Sequence, residues 1–321
     1  MNHAMSIIPT TFNEHAISYA LAGGKNFKRE ENDVGAVIMS RGGWYNFPSI
    51  IKSLLDIGCT SIISVESPKK SIDLDNMIHE YPFVKFLLPQ GKTTIGETIN
   101  ISISELKTNY AIVLWNDQSI LDSKQLSKAI AEAKSLDKMC LSPVAITKTN
   151  DMVSVQMLPI LKQGHFSTEA IPIIQNNTRS IYAFDFAGIY NCKKFIDFAG
   201  FDYTITNPYW QNLDFGFRTF LWGEEIVINT HFKVKYLSML PVEDTSHDDS
   251  YTRFYIKNLR PTVANGKAYM KFDVFFSYMK GMGFNPFMAY NYFKVGYDWV
   301  KKNQKRFTVP PYDLISNWRE M

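Results

Sequence analysis

The chain has 321 residues, 45% hydrophobic and 20% charged, enough apolar mass for one large packed domain or two small ones. A formal net charge of +3, with no lysine and arginine run interleaved with aromatics ahead of the C-terminal region, argues against a nucleic-acid partner. Cys59, Cys140 and Cys192 are odd in number and widely separated, so they supply neither a disulfide framework nor a thiolate metal site and fit a reducing, cytoplasmic setting.

Residues 1–33, with the polar run Lys25 to Asn32, read as an N-terminal extension outside the main sheet. The N-terminus shows no basic segment followed by a sustained apolar run, and no stretch approaches the ~18 apolar residues of a spanning helix. The chain therefore reads as neither secreted nor integral to a membrane. Val34 to Met39 is a continuous apolar run, as in a parallel strand covered on both faces, and it breaks at Ser40-Arg41-Gly42-Gly43. A helix is predicted from Pro48 to Ile57, with Gly58 as its stop. Strands are predicted at Thr60 to Val65, ending at Glu66, at Val84 to Leu88 and at Tyr110 to Trp115. Helical spacing separates them at Leu74 to Tyr81 and at Ile95 to Leu106. This alternation predicts a doubly wound α/β half over 34–120, with ligands outside the carboxyl ends of the strands. Ser40, Arg41, Glu66, Asn116 and Asp117 fall at those ends.

Residues 121–260 read as a mixed half. A helix is predicted over Leu126 to Leu136, strands at Cys140 to Ile146 and Val153 to Leu161, a long polar connection from Gly164 to Arg179, and a later strand from Phe232 to Leu240. Asn207 before Pro208 is a helix start with its cap and first-turn proline in place, and Gly223 closes that helix. Trp210, Leu213, Phe217 and Leu221 form its apolar stripe, while Gln211, Asp214 and Arg218 share a neighbouring face. Residues 261–321 form a C-terminal helical segment rich in aromatics and lysines, with two helices broken near Gly281 to Pro286.

Several short motifs agree in order and spacing. Trp115-Asn-Asp-Gln118 ends a buried strand, and Asp185-Phe-Ala-Gly-Ile-Tyr190, Ala199-Gly-Phe-Asp202 and Gln211-Asn-Leu-Asp-Phe-Gly-Phe-Arg218 follow. Over about 210 residues, from Val34 to His247, the chain resembles family 2 glycosyltransferases of the GT-A fold. The resemblance implies an α/β, GT-A-like architecture, a Rossmann-like doubly wound mixed sheet with a C-terminal helical extension. It implies a nucleotide-sugar donor, a glycan or lipid-linked acceptor, and a divalent metal, Mn²⁺ or Mg²⁺, on the diphosphate.

By the same resemblance Asp117, the one carboxylate between Asn116 and Gln118, holds the metal with His247, and Glu66 reads the nucleotide base. Ser40, Arg41 and Asn116 line the nucleotide pocket, where Arg41 offers a fork for phosphate. Gly188, Gly200, Phe201 and Asp202 match the sugar-contacting turn, and Trp210, Gln211, Asn212 and Arg218 the acceptor helix. Family members carry acids at 211 and 212, but an amide is no general base at neutral pH. Asp214 is the nearest carboxylate left, open both to the base role and to an i,i+4 pair with Arg218, with Asp244 and Asp248 as other candidates.

Asp117 also reads as a cap of the helix near Ser123 or a stabiliser of the turn, Glu66 as a strand-end charge and His247 as a solvated loop residue. The aromatic C-terminal segment fits two uses, peripheral contact with the inner face of a membrane or packing on the catalytic domain or a second copy. The amides at 116, 118, 211 and 212 keep open a nucleotide-sugar-binding protein without turnover. A nucleotidyltransferase lacks the Gly-rich, Lys-containing loop it needs after the first strand.

Overall fold

The computed structural model describes residues 15–24, 33–41, 46–59, 61–66, 74–162, 165–173, 175–271, 275 and 286–319. Four largely buried strands form a parallel run in a large sheet: β2 (Val34–Met39), β3 (Ser61–Val65), β4 (Val84–Pro89) and β5 (Tyr110–Trp115). Apolar runs of β-branched and large side chains suit strands covered on both faces. Helices α1 (Phe47–Asp56), α2 (Leu74–Glu80) and α3 (Ile95–Leu106) connect them. Thr94 and Glu97 form a capping box at the start of α3, each side chain bonded to the other's backbone N–H.

The remaining strands of the large sheet are β1 (Tyr19–Gly23), β6 (Gln118–Ile120), β7 (Cys140–Ile146), β10 (Thr178–Arg179), β11 (Gly188–Asn191) and β12 (Ile226–Tyr236). Its order is β1-β4-β3-β2-β5-β11-β7-β12-β10, with β6 on β12. The chain moves outward from β2 through β3 to β4, then returns to the other side of β2 with β5, so the strand order reverses between β2 and β5. Strand β11 runs antiparallel beside β5, with Gly188 opposite Val113, so the segment entering β11 lies at the carboxyl end of β5. Strand β12 is parallel to β7 and ends on the same side.

Helix α4 (Ser123–Leu136) is capped by Asp122, whose carboxylate accepts from the N–H groups of Lys124 and Gln125. Helices α5 (Cys192–Asp197), α6 (Pro208–Leu221) and α7 (Asp249–Phe254) complete the second half, and a π-helical turn, Tyr255–Leu259, follows. Asn207 caps α6 as its sequence predicts, accepting from Tyr209 N and Trp210 N. Every residue of α6 after Pro208 is buried. A Cβ at Gly216 would overlap the carbonyl of Ile181, so only glycine lets α6 lie this close to the segment that leads to Asp185. Gly216→Ala should therefore destabilise the fold by about 1–3 kcal/mol through overpacking, read as a lower urea midpoint.

Three expectations need correction. Residues 19–23 form no separate extension: β1 pairs antiparallel with β4, with Ile17 and Tyr19 buried. The connection from Gly164 to Arg179 contains β10 and β9 (His165–Ile171), which forms a hairpin with β8 (Gln156–Lys162). The strand expected at Phe232 to Leu240 starts at Ile226 and stops at Tyr236, leaving 237–240 as loop.

In the C-terminal segment, β13 (Thr262–Ala264) and β14 (Lys267–Tyr269) form a hairpin that precedes α8 (Pro286–Asn303) and α9 (Pro311–Ser316). The first of the two expected helices falls largely outside the described residues. Trp318 packs edge-on against Phe220 and Trp299 stacks on Trp222, so this segment rests on α6. Among the described residues no helix is long and apolar enough to cross a membrane. The three cysteines are free and buried.

Candidate active site

The strand order reverses between β2 and β5, and open α/β sheets bind ligands outside the carboxyl ends of the strands at such a point. Ser40 and Arg41 leave β2 there, and Asn116 and Asp117 leave β5. Asn116 Oδ1 accepts from Arg41 N at 3.0 Å, and its amide nitrogen donates to Ser40 Oγ at 3.3 Å, tying the two strand ends together. The Arg41 guanidinium lies over the Trp115 ring, 3.8 Å from its centroid, with Nη1 3.5 Å from Asp117 Oδ1.

Its Nη2 donates to Asp185 Oδ1, and Tyr236 at the end of β12 donates to Asp185 Oδ2 at 2.7 Å. Asp185 arrives because β11 is antiparallel to β5, and its own backbone is left-handed, at φ 57°. Burial pushes the Asp185 carboxyl up to about 6, against the pull of Arg41 and Tyr236. The sequence places Asp185 at the head of a motif without pointing to a role for it. The apolar stretch around it hides which residue turns toward the strand ends.

Asp117 is 3% exposed. Its Oδ2 accepts from Ser238 Oγ at 2.5 Å, and its Oδ1 accepts no hydrogen bond. The neighbouring amide oxygens are already used, Asn116 by Arg41 N and Gln118 by Trp115 N. Among the described residues no three or more His, Cys, Asp or Glu side chains group as a metal cluster. His247 is stacked on Tyr251 at 3.8 Å and edge-on to Trp210. Glu66 is buried at the end of β3, accepting from Ser64 Oγ at 2.7 Å, rather than standing as an exposed charge. Residues 42–45 and 67–73, which follow β2 and β3, lie outside the described residues.

The expected acceptor side is turned inward. Gln211 is 0% exposed, accepts from Gly96 N and donates to Thr94 Oγ1 and the Asp202 carbonyl. Asn212 donates to the Ala183 carbonyl at 2.7 Å. Trp210 donates to the Ser246 carbonyl, and Arg218 binds the carbonyls of Phe198 and Gly200. Asp214, also 0% exposed, is held by Lys257 at 2.8 Å, Asn258 at 2.7 Å and Arg218 at 3.3 Å. With no surface to meet a hydroxyl, Asp214 takes the structural alternative, the i,i+4 pair with Arg218, and not the base role.

The turn expected to touch the sugar is likewise internal. A Cβ at Gly188 would overlap Cys140 Sγ inside the sheet, and one at Gly200, where φ is +55°, would overlap Asn100 Oδ1. Phe201 is core, packed on Phe215 and Phe186. Asp202 bonds Lys257 at 2.5 Å. Burial opposes ionisation of Asp202, yet the Lys257 charge and the bonds from Thr204 hold its carboxyl below the ordinary range.

The loop after β12 runs from Asp117 to the start of α6. Leu237 N donates to the Asp117 carbonyl, Tyr182 OH donates to Glu243 Oε2 at 2.8 Å, and Asn207 Nδ2 donates to the Asp244 carbonyl. A cavity of about 520 Å³ lies along the loop, lined by Thr147, Lys148, Leu237, Ser238 and Leu240, and Ser238 joins it to Asp117. A larger cavity, about 610 Å³, lies at the opposite ends of the strands among Lys138, Arg179 and Glu225, which are already paired with one another. The strand end carries a buried carboxylate oxygen, Asp117 Oδ1, that accepts no hydrogen bond and faces only the Arg41 guanidinium, so it is the better candidate.

No protein-family model matches the chain, and no curated protein matches its sequence. Among solved structures, GalNAc-T7 with UDP, GalNAc and Mn²⁺ is similar at 11% identity and TM-score 0.58, over 86% of this chain and 58% of that one. The fold is GT-A-like. Staphylococcus aureus TarS in complex with UDP-GlcNAc is similar at 11% identity and TM-score 0.49, over 71% of this chain and 66% of that one. The chain thus spans less than two thirds of either structure.

Proposed function

We propose that this protein is a glycosyltransferase that moves a sugar from a nucleotide-diphosphate donor to an acceptor hydroxyl, with inversion, in the synthesis of a cell-surface glycan. The observation that carries this reading is the pairing of Asp117 and Arg41 at the strand-order reversal of a GT-A-like sheet. The similarity to GalNAc-T7, a structure holding UDP and Mn²⁺, supports a nucleotide-sugar donor and a divalent cation. In this reading Glu66, at the end of β3, reads the base and Arg41 engages the diphosphate.

Asp117 Oδ1, buried and accepting no hydrogen bond, fits one ligand position of a divalent cation whose other positions go to phosphate and water. Such a cation would neutralise charge on the departing diphosphate. For donor phosphates to reach this oxygen, the Arg41 side chain must turn from carboxylate to phosphate, a partner its planar fork suits equally.

A melting series with UDP-, GDP-, CDP- and dTDP-sugars, with and without Mn²⁺, tests the reading. A ligand at a hundred times its Kd adds about 2.7 kcal/mol, a rise of roughly 5 °C for a chain of this size. No shift from any donor would sink it. The buried amides at 116, 118, 211 and 212, which replace the acids of the family pattern, favour a second reading, a binding protein without turnover. That reading predicts the same shift with neither transfer nor donor hydrolysis.

A further inference from the structure

Transfer of a sugar to a hydroxyl requires a group that takes the hydroxyl proton, and the helix positions expected to supply it do not. Gln211 and Asn212 are amides bonded into the core, and Asp214 is sealed between Lys257, Asn258 and Arg218. Asp244 accepts from Ser246 N in its own turn, and Asp248 caps α7 through Ser250 N and Tyr251 N.

Glu243 is different. It sits half-buried on the loop that leaves Asp117 through Ser238 and reaches the start of α6 at Asn207. One of its oxygens is oriented by Tyr182 OH, and Tyr182 packs edge-on against Tyr209 in the first turn of α6. The loop that carries this carboxylate thus links the strand end, where the diphosphate is proposed to bind, to the helix turn where the related family keeps its acids.

Resting on the transferase reading, we infer that Glu243 is the catalytic base. The acceptor O–H bond breaks and its proton passes to a Glu243 oxygen, while the acceptor oxygen forms a bond to the anomeric carbon. The bond from that carbon to the phosphate oxygen breaks, and its electron pair leaves with the nucleoside diphosphate.

The surroundings suit this duty. Burial pushes the Glu243 carboxyl up to about 7, the bond from Tyr182 pulls it down, and the nearby Asp185 charge raises it. Tyr182, Asp185 and Tyr209 are the titratable groups facing it from the segment before β11 and from α6. A base with that value is half ionised near neutrality, where proton transfer is most effective.

The test compares wild type, Glu243→Gln and Tyr182→Phe in transfer and donor hydrolysis from pH 5.5 to 9, with donor-induced melting shifts alongside. Wild-type kcat should rise through a limb near pH 7. Glu243→Gln should lose about 100-fold or more in kcat, lose that limb and keep the donor shift. Tyr182→Phe should stay active with its limb moved to higher pH, because the carboxylate loses a stabilising donor. Glu243→Gln within threefold of wild type with an unchanged limb would overturn the assignment. If Glu243→Gln does not fold, Tyr182→Phe decides, and a limb that stays in place overturns it. Wild type that binds donors without transferring or hydrolysing any overturns the transferase reading, and the role of Glu243 with it.

Discussion

Lys257→Met should cost about 3–5 kcal/mol of stability at pH 7, the range for breaking a buried ionic pair from one side. Lys257 lies in the π-helical turn, 4.7 Å from the Trp299 ring centroid, and bonds both Asp202 and Asp214. Methionine keeps most of the volume and removes the charge, leaving Asp214 to Arg218 and Asn258, and Asp202 to Thr204.

The pH dependence carries a sign. The Asp202 carboxyl is held below its ordinary value of 3.8, so its contribution to wild-type stability is present above that value and is lost as pH falls below it. In Lys257→Met the same carboxylate is buried without its main cation, and protonation relieves it. The gap between the two proteins in urea unfolding should therefore narrow from pH 7 to pH 4. A loss under 1 kcal/mol, constant across that range, would contradict the ionic account of this network.

Asp117→Asn should lower transfer by about 10²- to 10³-fold, the scale for removing one preorganised electrostatic contact, while leaving the fold in place. Asparagine still offers an oxygen to Ser238 Oγ, so the packing at the strand end survives. The negative oxygen is lost, and with it the proposed grip on a divalent cation. In melting experiments the Mn²⁺-dependent part of a donor shift should vanish while the metal-independent part persists. Full activity in Asp117→Asn would remove this residue from the site.

The first half of the fold was legible because parallel strands covered on both faces leave unbroken apolar runs, as in Val34–Met39 and Tyr110–Trp115. Strand β9 was not, because His165, Glu169 and Ala170 leave it half-exposed and its residues resemble a polar connection. Strand β1 was missed for a related reason: five residues on a sheet edge bury too little to stand out. At the site, strand ends are readable from where apolar runs stop, so Ser40, Arg41, Asn116 and Asp117 could be named together, and the structure brings them together. Asp185 and Glu243 reach the same region through an antiparallel strand and a loop, and no sequence period encodes either path. Helix α6 misled because its polar residues resemble an exposed face, whereas each one serves a buried backbone or ionic partner.

The pairing of β1 with β4 has a bearing on handling the protein. Tyr19 donates to Glu105 at 2.7 Å and His15 Nδ1 lies 2.9 Å from Glu97, so this short ribbon is also fastened to α3. Trimming the chain to residue 25 would uncover a row of unpaired amides along β4, a template for a neighbouring copy. Self-association, rather than collapse of the strand-end site on the far side of β2, would be the first symptom.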